Sequence, residues 1–198
     1  MPKKKSIETS AREYIEELEE VEQFLDRAKN NKSLTKKDTT WIYEYGLIRM
    51  YRGFEELMLD CLVGAVNNDM DSISNKTGIL FPKHLSKEVC EFLIIGIGYF
   101  DFRGRSGLIN KLTDFLPRKH FLVTCVKDNT YKDTLDILVV FRNYAVHSSK
   151  VARKKALEVT GRERLGAAGT WLKIDNRLED LIEKLKDFAK EIHDSAPY

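Results

Sequence analysis

Three side chains in the stretch VVFRNYAVHSS (139–149) carry chemistry that their neighbours do not. Arg142, Asn143 and His147 sit among Val139, Val140, Phe141, Tyr144, Ala145 and Val146, residues suited to burial. An unpaired guanidinium is costly to bury, so an arginine in such a run is either satisfied by a partner or put to use. Its planar fork of donors holds phosphate. Histidine titrates near neutrality and serves as general base or acid. Metal-free cleavage of RNA needs such parts: a base for the ribose 2′-OH, an acid for the leaving 5′-oxygen, and positive charge for the phosphorane-like transition state.

The helical geometry of this run makes the expectation spatial. At about 100° per residue, with Arg142 at zero, Leu135 falls at about 20°, Val146 at about 40°, Val139 at about 60° and Leu138 at about 320°. Arg142 therefore lies in the middle of an apolar stripe. Asn143, Asp136 and His147 follow at about 100°, 120° and 140° as a polar face beside it. Ile137, Val140 and Phe141 fill much of the far side. A helix apolar nearly all round is expected to be buried by its own bundle on one side and by a second subunit on another. A two-fold axis near the motif would place two arginines and two histidines around one cleft. The structural alternative stays open. Arg142 pairs with Glu55, Glu56 or Asp60 on an earlier helix, and His147 simply caps a helix C-terminus, where its charge suits the dipole.

The elements that must position these residues read as helices. Residues 9–30 carry Ile15, Leu18, Val21, Phe24, Leu25 and Ala28 at three- and four-residue spacing, with Ser10 and Glu13 as a capping box. A second helix starts near 38–40 and runs to about Asn67, with Gly46, Gly53 and Gly64 either weakening it or admitting a neighbour closely. Residues 67–84 read as a polar connector. Ser86 caps a helix through about Ile97, 98–107 is a loop, and a short helix ends near Phe115. HFLVTCV (120–126) suits a short strand or a buried helical turn. The motif helix begins near Tyr131. Lys150 to Leu157 either continues it or forms a basic elbow, and 161–170 is a glycine-rich loop. A last helix spans about 175–193, with Asp175 as its cap. Five or six helices with little strand signal predict one all-α bundle domain over 1–198, its core about 9–194.

Composition narrows the function classes. The 198 residues are 42% hydrophobic and 32% charged, with 33 basic against 31 acidic residues and a net charge of +2. Nucleic-acid contact must therefore come from local patches. Lys150, Arg153, Lys154 and Lys155 form one such run, either an RNA-backbone track or a solvated face. The loop YFDFRGR (99–105) is a second, with Arg103 and Arg105 beside Tyr99, Phe100 and Phe102, which either stack bases or anchor the loop. Cys61, Cys90 and Cys125 are far apart, and His84, His120, His147 and His193 form no metal-binding pair, so neither metal nor cofactor is expected. GIGYFD (96–101) has Asp101 where a dinucleotide loop needs glycine, and GRSGL (104–108) lacks the last glycine of a nucleophile elbow. FLIIGIG (92–98) is too short to span a bilayer, and no apolar stretch follows the basic start MPKKK. A cytoplasmic protein without membrane contact is expected.

RNYAVH (142–147) resembles the Arg-x4–6-His motif of HEPN domains, in its form with Asn after Arg. The resemblance extends to the motif's place in a late core helix, the earlier long helix pair and the trailing basic segment. With 4 histidines in 198 residues, the spacing alone is weak, and the context carries the resemblance. It implies a HEPN-like bundle of four core helices with additional short ones. It further implies a homodimeric, metal-independent endoribonuclease of an antiviral or toxin–antitoxin system. Arg142 and His147 would be catalytic, Asn143 would support them, and the product would be a 2′,3′-cyclic phosphate. An antitoxin or defence partner protein would accompany it. One HEPN subfamily carries a tyrosine, modified by a partner nucleotidyltransferase, where this chain has Ser149. The reading from a different class is a catalytically silent helical module that binds a partner protein or a nucleotide.

Overall fold

The computed structural model describes residues 6–82 and 85–197, and among them every regular element is helical. Helix α1 (Ile7–Asn30) packs most extensively, against both α2 (Lys36–Asn68) and α10 (Arg177–Ser195). The buried side of α1 is Ile7, Ala11, Tyr14, Leu18, Val21 and Leu25, the spacing of one helical face. Its start differs from the sequence expectation. Ser6, not Ser10, accepts from the Thr9 N–H at 3.0 Å, and Ser10 is buried one turn inside the helix. A capping box does open α2, where Thr35 and Asp38 satisfy each other's backbone N–H groups.

The 33 residues of α2 make an axis roughly 50 Å long at 1.5 Å per residue. Two of its glycines admit α1 closely. At Gly53 an added Cβ would overlap the Glu17 carboxylate, and at Gly64 it would stand 3.0 Å from Ile7. Gly46 leaves ordinary van der Waals space. Beside this seam the Tyr14 hydroxyl donates to the Met50 carbonyl at 3.1 Å. Lys186 of α10, nearly buried, bridges to Glu22 of α1 at 2.8 Å and to Glu183 at 2.9 Å.

An aromatic hub ties the rest to this trio. Phe54 of α2, fully buried, lies 6.3 Å from Tyr14, 6.0 Å from Phe102 and 5.8 Å from Phe188, measured between ring centroids. The connector expected at 67–84 contains helix α3 (Met70–Thr77). His84 lies outside the described residues. Helix α4 (Lys87–Ile95) is capped by Ser86 as its sequence predicts, and it stops at Gly96, whose φ of +63° lies in the left-handed half of backbone space. The loop then leads into α5 (Gly104–Thr113).

HFLVTCV resolves as helix α6 (Phe121–Lys127), with the His120 ring accepting from the Leu122 N–H at 3.2 Å. Asp128 caps a 3-10 turn (Asn129–Tyr131) that feeds α7 (Lys132–His147). Ser148, at φ +46°, ends α7, and the Ser149 hydroxyl caps a separate helix α8 (Lys150–Thr160) at 3.2 Å. The glycine-rich segment carries a short helix α9 (Ala168–Leu172). Asp175 does not cap α10. It is left-handed at φ +56° and accepts from Arg177 at 2.6 Å instead. No helix of the described residues is long and apolar enough to cross a membrane.

Helix α9 docks on α2 backbone to backbone. A Cβ at Gly169 would overlap the Thr40 carbonyl, and the Gly169 N–H donates to Glu44 at 3.1 Å. Gly166, in the same segment, has only ordinary contacts around its Cβ position. Overpacking of this kind costs about 1–3 kcal/mol. Gly169→Ala is therefore expected to lower Tm by several degrees in thermal unfolding followed by circular dichroism. Gly166→Ala is expected to leave it nearly unchanged. Equal Tm values for the two variants would show that α9 is not held in this way.

Candidate functional site

The rotation of α7 is set by two aromatic anchors. Phe141 is fully buried and stacks on Trp171 of α9 with ring centroids 4.2 Å apart. One turn on, the Tyr144 hydroxyl donates to the Gly166 carbonyl at 2.6 Å. With Leu135, Leu138 and Val139 also buried, the helix has no freedom to turn. Arg142 is thereby directed at α2 rather than at water.

Arg142 is half-buried, and its guanidinium carbon sits 4.7 Å from the centroid of the Tyr51 ring. This is a cation–π contact within the productive range. Its Nη1 donates to the Asn143 side-chain oxygen at 3.0 Å, which fixes the plane of the fork. Its Nε is buried with no hydrogen-bond partner. The structural alternative for this arginine required a carboxylate partner. No ion pair joins Arg142 to Glu55 or Glu56. Glu56 instead pairs with Arg52 at 3.0 Å, and Asp60 pairs with Lys87 at 3.0 Å. Glu55 influences Arg142 through its field only.

The surroundings polarise two neighbouring groups. Burial pushes the Tyr51 hydroxyl up, and the Glu55 charge and hydrogen bond push it further, so it stays protonated. Burial also pushes the Glu55 carboxyl up, while Tyr51's hydrogen bond and the Arg142 charge pull it part of the way back. Asp101 and Glu56 add to the upward push.

Tyr51, Asp101 and Arg142 border a cleft of about 540 Å³. Its floor is Val139, Val140, Arg142, Asn143 and His147 of α7. Tyr51 of α2 forms one wall, the segment Asp101–Gly104 another, and Lys155 of α8 closes the side. Arg142, Asn143 and His147 thus border one space, although about 140° separates Arg142 and His147 on an ideal helix. His147 is exposed, at the last turn of α7.

The basic run divides. Lys155 alone lines the cleft. Arg153 donates to the Leu165 carbonyl at 2.9 Å and holds the glycine-rich segment. Lys154 projects beside Glu158, and Lys150 is exposed at the start of α8. Of the second candidate patch, Arg103 lines the cleft, while Arg105 is spent on the carbonyls of Val126, Lys127 and Asp128 at the end of α6. Among the described histidines, His120 caps α6 and His193 pairs with Asp194, so only His147 borders the cleft. No group of three or more His, Cys, Asp or Glu side chains among the described residues is arranged to hold a metal ion.

Tyr51 and Asp101 are the site residues that sequence reasoning missed. Tyr51 reads as one more apolar member of a helix, and its pairing with Glu55 at i+4 is the signal that marks it. Asp101 is visible in sequence only as a flaw in a glycine loop.

The raised Glu55 carboxyl has a consequence for stability. Above an ordinary glutamate's 4.5, the folded chain holds this proton more tightly than the unfolded chain does. Stability linked to Glu55 therefore falls as pH rises through that window. Glu55→Gln removes the dependence. Its Tm relative to the parent protein is expected to rise as pH increases above 4.5 and to level off once the carboxyl is ionised in both the folded and the unfolded chain. A Tm difference that is flat or falls over that range would rule out a destabilising Glu55 charge.

No protein-family model, no curated protein and no solved structure matches the chain.

Proposed function

We propose that this chain is a HEPN-type, metal-independent endoribonuclease, a homodimeric effector of a defence or toxin–antitoxin system, built on the HEPN bundle that RNYAVH resembles. The observation that carries the reading is the convergence of Arg142, Asn143 and His147 on one cleft, with the arginine oriented by Tyr51 and Asn143 and joined to no carboxylate among the described residues. An arginine kept for structure would be expected to pair with an acid. This one presents its charge to a space large enough for a nucleotide's phosphate and sugar.

In the proposed reaction His147 accepts the proton of the ribose 2′-OH. The freed oxygen attacks the adjacent phosphorus, the bond to the 5′-oxygen breaks, and a second proton carrier protonates that leaving oxygen. Arg142 stabilises the extra charge on the phosphoryl oxygens as it develops. The products are a 2′,3′-cyclic phosphate and a 5′-hydroxyl. In-line displacement places base and acid on opposite sides of phosphorus, and among the described residues the cleft of one subunit has a single histidine. A second His147 across a two-fold axis supplies the other. Ile137 and Val140, about 60° apart on α7, are incompletely covered by the chain's own bundle and suit such a contact.

The silent-module reading draws on a different observation, the exposed apolar side chains Val89, Phe92 and Ile97 on and after α4. Activity separates the two. Purified protein is expected to cleave RNA in the presence of EDTA and leave 2′,3′-cyclic phosphate ends. Arg142→Ala and His147→Ala should each lower the rate by about 100-fold or more while leaving the helical fold intact by circular dichroism. Light scattering should report a dimer at micromolar concentration. Loss of activity with EDTA, or activity surviving both substitutions, would rule the mechanism out.

A further inference from the structure

The segment between α4 and α5 alternates in exposure residue by residue. Tyr99 is 93% exposed, Phe100 is 7%, Asp101 is exposed, Phe102 is 6% and Arg103 is exposed. A period of two is the signature of an extended chain with one side buried. Phe100 and Phe102 are the pins. Their rings lie 5.9 Å apart, and Phe102 also meets Tyr51 at 6.1 Å and Phe54 at 6.0 Å. The other side displays an aromatic ring, a carboxylate and a guanidinium in order. Asp101 and Arg103 line the cleft that holds Arg142 and His147. Tyr99 lies within about 7 Å of Asp101 along the chain, the reach of two residues.

Each displayed group matches one part of a nucleotide. An exposed phenol ring is a stacking face for a base in single-stranded nucleic acid. A guanidinium takes a phosphate. The carboxylate between them is out of place if the strap only tracks a backbone, because it repels phosphate. It fits a base edge instead. A carboxylate only accepts, with two oxygens side by side. Among the four RNA bases, guanine alone offers two adjacent donors on its Watson–Crick edge, N1–H and the N2 amino group. Adenine and cytosine set one donor beside an acceptor, and uracil flanks its single donor with two acceptors.

We propose that Tyr99, Asp101 and Arg103 form a guanine-reading subsite beside the Arg142–His147 centre. Tyr99 stacks the base, Asp101 accepts from N1–H and N2–H, and Arg103 holds a flanking phosphate. The subsite gives the proposed ribonuclease its substrate class, single-stranded RNA with guanosine next to the cleaved bond, and it rests on that reading of the cleft.

The test uses the full chain with 2′-O-methyl pentanucleotides, which have no free 2′-OH to attack. One probe carries a single guanosine in uridines, and the other carries an adenosine in its place. Fluorescence anisotropy is expected to show about tenfold or greater preference for the guanosine probe. Asp101→Asn should abolish that preference or turn it towards adenosine, because an amide sets one donor beside one acceptor. Tyr99→Ala should weaken both probes by about tenfold, and Tyr99→Phe should restore them. Equal binding of the two probes by the parent protein overturns the proposal. So does a guanosine preference surviving in Asp101→Asn, or full affinity in Tyr99→Ala. Cleavage that depends on Arg142 and His147 without these effects removes the strap's role and leaves the catalytic reading standing. Neither binding nor cleavage of any RNA, the result expected if the strap docks a protein, removes both.

Discussion

A guanidinium pressed on a phenol ring, with one nitrogen buried and unbonded, is the constraint around which this helical domain is arranged. Leaving a buried donor without a partner costs about 1–3 kcal/mol. The Tyr51 face and the Asn143 amide offset part of that cost. The Arg142 Nε has no hydrogen-bond partner among the described residues. Such a group persists only if the surrounding packing fixes it, and the packing here does so from several sides. Phe141 on Trp171 and Tyr144 on Gly166 lock the rotation of α7. The Phe54 hub fixes the register of α2, on which Tyr51 rides.

Much of the smaller architecture follows from delivering charge to that place. If α7 continued past His147, the basic run would extend along the same axis, away from the floor of the cleft. Ser148 in left-handed conformation and the Ser149 cap break the axis, and the new helix brings Lys155 back to the side of the cleft. The loop after α4 contributes another wall, and Arg105 ties α5 to the carbonyl end of α6. Three cations, Arg103, Arg142 and Lys155, then face one space in a chain whose net charge is only +2. The concentration of charge is local, and overall composition does not reveal it.

What the sequence made legible was periodic, and what it hid was relational. The Leu18, Val21 and Leu25 face of α1, the Ser86 cap and the position of Arg142 on an apolar stripe all follow from spacing along one helix. The α3 helix inside the polar connector escaped because eight residues of mixed polarity have no clear period. HFLVTCV was ambiguous because a short apolar run fits a strand and a buried turn equally. Which lysine of 150–155 would face the cleft depended on the break at Ser148, a backbone conformation with no glycine to announce it. Tyr51 belongs to the site only because α2 and α7 cross there, and no spacing along either helix contains that fact. The alternation over 99–103 was present in the sequence as aromatic, aromatic, acid, aromatic, arginine. It became meaningful only once Phe100 and Phe102 were seen to be buried.

The proposed chemistry asks different things of its two principal residues, and the fold treats them differently. Stabilising charge in a transition state works best when the dipoles and charges need not reorganise as the reaction proceeds. Arg142 meets that demand in mid-helix, against a ring, with its plane fixed by a neighbouring amide. A proton carrier has the opposite need, because it must exchange its proton with solvent in each turnover. His147 stands exposed on the last turn, beside a left-handed serine where the helix ends. The spacing of five residues between them therefore does more than set an angle on a helical wheel. It places the charge in mid-helix against a ring and the imidazole where water reaches it, while keeping both on the border of one cleft.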